Sequence, residues 1–162
     1  MTIHQKILKR LREMRNVPEY TEADKKVIAY SLAFEGTIGL QRRSKKGFEP
    51  HIAIKVSEKD LLDNFTEIIR LGSKRSSKLR DYNYLMYVWS CSRTLEVYYI
   101  LANVINYIPS KRKQKIAKLV MEFIEKRVKK GALTKRIPTN DEEEAIFSLI
   151  STLNKPKRQR DE

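Results

Sequence analysis

The chain has 162 residues, enough for one domain with a buried core. Its 41% hydrophobic content argues against wholesale disorder despite 33% charged residues, and its single cysteine, Cys91, excludes an intrachain disulfide and a cysteine-based zinc site. Charge is the strongest compositional feature: 34 Lys and Arg against 20 Asp and Glu give +14, in clusters, and such a field attracts polyanions, either nucleic acid or an anionic membrane.

No apolar run is long enough to span a bilayer, and the N-terminus lacks the apolar stretch and cleavage site of a signal peptide. The expected setting is therefore intracellular, in cytoplasm or an organellar matrix, with no membrane partner. Ile3, Ile7, Leu8, Leu11 and Met14 recur at helical spacing, with Lys6, Lys9, Arg10, Arg12 and Arg15 between them. This predicts a basic amphipathic helix, an N-terminal extension over residues 1–20 closed by Asn16-Val17-Pro18. Thr21 and Asp24 form a capping-box pattern, so the next helix starts there and ends near Phe34 or Glu35. Ile28 to Phe34 are apolar or small, which reads as a buried rod ending in one carboxylate. Gly36 follows, suited to a backbone conformation that other residues resist.

Residues 37–43 alternate, with Ile38 and Leu40 on one face and Thr37, Gly39, Gln41 and Arg43 on the other. After a turn at Ser44-Lys45-Lys46-Gly47, residues 51–57 alternate again, Ile52, Ile54 and Val56 inward and His51, Ala53, Lys55 and Ser57 outward. The result is a hairpin with one apolar and one polar, partly basic face. Ser57-Glu58-Lys59-Asp60 opens a helix carrying Leu61, Leu62, Phe65, Ile68 and Ile69, which ends at Leu71-Gly72. Residues 73–80 are very polar, but Tyr82 to Trp89 is β-prone, and a second hairpin follows with Ser76-Ser77 near its middle. Ser92 is the expected cap of a helix running through Leu95, Val97, Tyr98, Leu101 and Val104 to Ile108. Another helix starts at Pro109-Ser110, and a last one spans Asp141 to Leu153 with acidic residues in its first turn. Residues 155–162 read as a basic, disordered tail. The predicted architecture is one α+β domain over residues 1–154 with an αββαββα core, two antiparallel hairpins, and extra N- and C-terminal helices.

Three features carry candidate chemistry. Glu35 opposes the macrodipole at a helix C-terminus and has no Lys one turn back; it is either a solvated helix end or a hard oxygen ligand for a divalent cation. The outward Gln41, Arg43, His51 and Lys55 are types that hydrogen-bond base edges and phosphates, and a two-stranded ribbon fits the DNA major groove; the plain alternative is an ordinary solvated sheet face. Lys111-Arg112-Lys113-Gln114-Lys115 places cations at a helix start, where the dipole disfavours them. Residues 110–136 hold 11 Lys and Arg against Glu122 and Glu125, a net of +9. Phosphate contact and a merely solvated basic helix explain that run about equally. His4 and His51 belong to no metal-ligand cluster, and no Ser/His/Asp, P-loop or dinucleotide pattern occurs.

Ile28-Ala29-Tyr30-Ser31-Leu32-Ala33-Phe34-Glu35-Gly36-Thr37-Ile38 resembles the LAGLIDADG motif of homing endonucleases, with Glu35-Gly36 on its closing acid–glycine pair. The element order behind it agrees. Residues 52–60 resemble the second strand and following helix start of these enzymes, and residues 113–120 their basic segment opening a later helix. The likeness runs from about Thr21 to Arg127 and, with one motif in a short chain, points to the single-motif, homodimeric branch.

The resemblance implies a site-specific DNA endonuclease that makes double-strand breaks in a long, pseudo-palindromic target. Glu35 then becomes the metal ligand, with the Phe34 carbonyl as a backbone ligand. The cofactor is Mg²⁺ or Mn²⁺, and Ca²⁺ binds without supporting cleavage. Lys113 falls where the family has a catalytic-pocket lysine. Glu58 falls where relatives often have a polar residue that orders the nucleophilic water, and an acid there departs from the pattern. Two β-sheet saddles read the DNA, through Thr37, Gln41, Arg43, Lys45, His51, Lys55 and Ser57 from the first hairpin and Ser73, Arg75 and Ser77 from the second. Lys111, Arg112 and Lys115 lie where phosphates pass. Motif helices pair along the dimer axis, which places Ala29, Tyr30, Ser31, Ala33 and Phe34 at the interface. Tyr30 and Phe34 stand where the family has small residues, and Ala29 and Ala33, one turn apart, supply the small face instead. The alternative is a non-catalytic nucleic-acid binder on the same scaffold, either an RNA splicing maturase or a DNA-binding regulator.

Overall fold

The computed structural model describes residues 1–43, 47–78, 85–131 and 140–155, apart from the side chains of Ser77 and Lys78. The helices are α1 (Ile3–Met14), α2 (Glu22–Glu35), α3 (Lys59–Ile69), α4 (Thr94–Val104), α5 (Lys111–Lys129) and α6 (Asp141–Asn154). The strands are β1 (Gly36–Arg42), β2 (Phe48–Val56), β3 (Ser73–Lys78) and β4 (Leu85–Cys91). The predicted order holds throughout, with a 3₁₀ turn at Ile105–Tyr107 ending the α4 segment. The expected tail lies, beyond Lys155, outside the described residues. Among the described residues, no helix is long and apolar enough to cross a membrane.

Local chemistry starts the helices. Thr21 and Asp24 form the expected capping box on α2, and Thr2 with Gln5 forms a second one on α1. Ser110 accepts from the Lys113 amide and Asn140 from the Glu143 amide, while Asp141 to Glu144 complement the dipole of α6. Ser92 does not cap α4. That position falls to Arg93 without a side-chain bond, and the Ser92 hydroxyl points instead to His51.

The two hairpins join through their inner strands into one antiparallel sheet, order β1-β2-β4-β3. Register puts Ile38, Leu40, Ile52, Ile54, Trp89 and Cys91 on one face, all buried. Ser76 and Ser77 lie inside β3, opposite Tyr87 and Met86, rather than at the middle of the second hairpin. Cross-strand pairing thus overrides the poor intrinsic strand preference of this polar segment. The helices α2, α4 and α5 pack on the apolar face, and α1 lies on α4 and α5 with Ile7 and Leu11 buried. An ion pair from Arg15 to Glu96, which is 3% exposed, ties the end of α1 to α4.

Edge strand β1 is covered by α6. Asn154 Nδ2 donates to the Ile38 carbonyl at 3.1 Å, Phe147 stacks on Phe48 at 4.5 Å, and Arg42 lies over both rings while pairing with Glu144. Covering the edge this way blocks strand addition by another chain.

Two glycines are required for different reasons. Gly36 is extended (φ −110°), contrary to the expected special helix-ending conformation; a Cβ there would sit 2.7 Å from the Leu32 backbone. Gly72 has φ +78°, and its Cβ would lie 2.6 Å from Trp89 Nε1, whose hydrogen bond to the Leu71 carbonyl anchors the ring. Gly72→Ala is expected to cost roughly 1–3 kcal/mol from the backbone conformation alone. An unchanged midpoint in urea unfolding would contradict this packing.

Candidate active site and nucleic-acid interface

The motif helix is not a buried rod. Ile28, Ala29 and Leu32 face the core, but Val27, Tyr30 and Phe34 are 42%, 48% and 74% exposed. Their spacing draws one stripe down the outer side of α2. The rings of Tyr30 and Phe34 stack nearly parallel, 7° apart, with centroids 6.2 Å apart. Ala29, expected at a dimer interface, is fully buried within its own chain and offers no surface. The helix rotation is set by Ile28 and Leu32 seeking the core, which carries Ala29 inward with them. Ser31 and Ala33 are half-buried, beside the stripe.

Glu35 ends α2 exposed to solvent, next to Phe34. Directly behind it, Lys113 Nζ donates to the carbonyls of Leu32 (3.0 Å) and Gly36 (2.8 Å). These are orphan acceptors at a helix C-terminus and at the first strand residue, so Lys113 pins the helix–strand corner in place. The Ser110 cap fixes the start of α5 and with it the position of this lysine. Burial, then the neighbouring Arg112, pushes the Lys113 pKa down, and Glu35 opposes them. Two of its three N–H donors are used by these carbonyls, which leaves one for another partner.

Other expected residues fall in different places. Glu58 is exposed at the N-cap of α3; it makes no capping bond, and no hydrogen bond or ion pair among the described residues joins it to Glu35 or Lys113. Arg112 is turned to the Leu153 carbonyl at 2.9 Å, closing the end of α6, while Lys111 and Lys115 are exposed. Among the described residues no three His, Cys, Asp or Glu side chains converge to hold a metal. The two expected donors, the Glu35 carboxylate and the Phe34 carbonyl, are hard oxygens of the kind Mg²⁺ and Ca²⁺ take, and two are fewer than either ion's full ligand set. The Cys91 thiol is buried and pushed up to about 12 by desolvation and Glu96, which removes it from nucleophilic chemistry.

The open face of the sheet carries the side chains expected there. Register places Thr37, Gln41, His51, Lys55, Ser73 and Arg75 on one side, opposite the apolar face that carries α2, α4 and α5, and Arg43 continues β1 onto it. Ser57 is exposed just beyond β2. Ser77 shares the register of that face through its backbone, and Lys45 lies outside the described residues. Gly39 and Ala53, expected to face outward, are buried, Gly39 against the end of α6.

Two features of this face were not anticipated. Glu49 pairs with Arg43 at 2.5 Å, and His51 Nδ1 meets Ser92 Oγ at 2.9 Å. Glu49 lies before His51, where the alternation predicts the strand to start, with Pro50 between them. Yet β4 stops opposite Ile52, leaving β2 unpaired on that side at Pro50, where a proline is tolerated. Alternation back from His51 would have placed Glu49 on the same face; nothing in the sequence sets Ser92 opposite His51.

No family model matches the sequence, and no curated protein matches it. Solved structures do. The homing endonuclease I-CvuI in complex with DNA superposes with a TM-score of 0.63 at 17% identity, covering 85% of this chain and 85% of that one. The meganuclease I-SmaMI bound to DNA gives 0.55 at 18% identity, over 87% of this chain and 52% of that one, so this chain spans about half its length. The group I intron-encoded homing endonuclease I-CeuI, complexed with DNA, gives 0.54 at 14% identity over 83% and 69%. At these identities the likeness is one of fold, and the fold is that of LAGLIDADG homing endonucleases, as residues 28–38 led us to expect.

Proposed function

We propose that the protein is a site-specific DNA endonuclease that works as a homodimer and requires a divalent metal ion. The observation that carries this reading is one fold that joins an exposed carboxylate, Glu35, to an open sheet face bearing Gln41, Arg43, His51, Lys55 and Arg75. Proteins that share the fold were crystallised with DNA, among them I-CvuI in the presence of magnesium and of calcium.

A bound Mg²⁺ or Mn²⁺ would supply an activated water and neutralise charge at the leaving oxygen of a phosphodiester. Glu35 and the Phe34 carbonyl are the groups that would hold it. Lys113 keeps the corner rigid and has one N–H left to face a phosphate oxygen as negative charge develops. Pairing of two copies through the Val27–Tyr30–Phe34 stripe would bring a second Glu35 to the same axis and complete the ligand set. Twofold symmetry in the protein then asks for twofold symmetry in the target, an imperfect palindrome contacted by two sheet faces.

The test is incubation of the purified protein with a randomised duplex library, followed by sequencing of cut ends. Cleavage at a preferred, twofold-related site is expected in Mg²⁺ or Mn²⁺, none in EDTA, and binding without cutting in Ca²⁺. Intact duplexes in Mg²⁺ together with a preference for structured RNA would overturn the proposal.

A further inference from the structure

The open sheet face holds, at the end where β4 stops, a side-chain pair that phosphate attraction alone does not explain. Register pairs Gly39 with His51 across β1 and β2, and the hydrogen bond from His51 to Ser92, the residue after β4, extends the row. Gly39 contributes no side chain, so the imidazole is the only side chain in the row's first two positions. The hydroxyl of Ser92 holds Nδ1 at 2.9 Å. His51 is half-buried, whereas the flanking Gln41, Lys55 and Arg75 are exposed. A ring anchored at Nδ1 leaves Nε2 without a partner among the described residues, and four charged side chains surround it. Arg43 follows β1, Glu49 and Lys55 share β2, and Arg75 stands on β3.

Resting on the endonuclease reading above, we infer that Ser92 and His51 act together as a base-reading unit, in which Ser92 positions the ring so that Nε2–H donates to a base-edge acceptor in the major groove, and in which binding takes up a proton.

A serine hydroxyl both donates and accepts. When the Ser92 O–H donates to Nδ1, the neutral ring carries its proton on Nε2 and presents a donor. When the ring is protonated, Nδ1–H donates to Ser92 Oγ and Nε2–H still points outward. Both states therefore show a donor to the groove, and the acceptors there are the N7 of either purine, the O6 of guanine and the O4 of thymine, which leaves cytosine as the base refused. Without the hydroxyl, Nδ1 is free to take the proton, and Nε2 then becomes an acceptor that fits a different base.

Proton uptake follows from the surroundings. In the free protein, burial lowers the His51 pKa first, and Arg43, Lys55 and Arg75 lower it further against the opposing pull of Glu49. Phosphates entering beside those three cations reverse the balance and favour the charged ring. Affinity should then rise as pH falls, between a bound-state value above the free one and a free value below 6.5, by up to about tenfold per pH unit for each His51 that binds. Folding stability moves the other way. A histidine depressed in the native state contributes stability above its unfolded pKa and loses it as pH falls, so weaker folding cannot mimic tighter binding.

The experiment measures base preference at every position of the selected target and the pH dependence of its binding in Ca²⁺, for wild type, Ser92→Ala, Ser92→Thr and His51→Gln. Ser92→Ala is expected to lower discrimination roughly tenfold at one base pair in each half-site and nowhere else, within the range for a lost base contact. Ser92→Thr, which keeps the hydroxyl, should restore it. His51→Gln should flatten the pH dependence between pH 5.5 and 7.5 (about the histidine range). Wild-type profiles in Ser92→Ala and His51→Gln, from a protein that does select a target, would overturn this inference alone. A wild type with no base preference anywhere would remove the endonuclease reading as well.

Discussion

Glu35→Gln is expected to abolish the proposed DNA cleavage, by on the order of a thousandfold or more, while specific binding in Ca²⁺ persists. The side chain keeps its size and one carbonyl oxygen but loses the charge that a hard dication requires. In a homodimer the substitution is felt twice, since both copies meet at the same axis. Folding should not suffer. Glu35 is exposed, and a carboxylate at the end of α2 opposes the helix dipole, so its removal is neutral or slightly stabilising. The Lys113 bonds to Leu32 and Gly36 go to backbone carbonyls and survive the change. Single-turnover cleavage with Mg²⁺, beside a filter or gel-shift measurement of binding, separates the two effects. Cleavage at the wild-type rate would end the case for Glu35 as the metal ligand.

Much of this corner is legible in the amino-acid sequence. Capping at Thr21 and the break at Gly36 bracket α2, and period-two alternation places Gln41, His51 and Lys55 on the polar face of a hairpin. These are local signals, and the fold keeps them. What is not legible depends on pairing between distant segments. Whether Ser92 caps α4 or meets His51 depends on the β2–β4 register, which no local pattern encodes. Lys113 reads as a phosphate contact because its neighbours are cationic. Its engagement with the α2 carbonyls emerges only when α5 is docked against the corner. Apolar content also misleads. Ile28 to Phe34 contains nothing charged, so it reads as buried throughout, whereas a helix packed on one side shows half of such a run to solvent. That outer half is informative, because exposed apolar side chains in a stripe mark a surface that awaits a partner.

Tyr30→Asp is expected to turn the proposed dimer into monomers and to remove double-strand cleavage, although Glu35 is untouched. Tyr30 lies mid-stripe, with Val27 one turn before it and Phe34 one turn after. In an isologous pairing each substituted residue meets the same patch on the other copy, so one change places two carboxylates in an apolar contact. The aromatic stack also bears on geometry. Small residues would let two helices approach closely, whereas stacked rings at Tyr30 and Phe34 hold them apart and must interdigitate. Phe34→Ala is the graded case. It removes a large exposed ring and keeps the main-chain carbonyl proposed to face the metal, so it should weaken association without changing the metal dependence of the dimer that remains. Light scattering across a concentration series reads the association, and cleavage at saturating protein reads the site. Wild type at twice the chain mass, Tyr30→Asp at one, and an unfolding transition common to both would assign the stripe to self-association. A monomeric wild type that cuts both strands would refute the pairing, and a complete metal site would then have to come from one Glu35, water and the DNA itself.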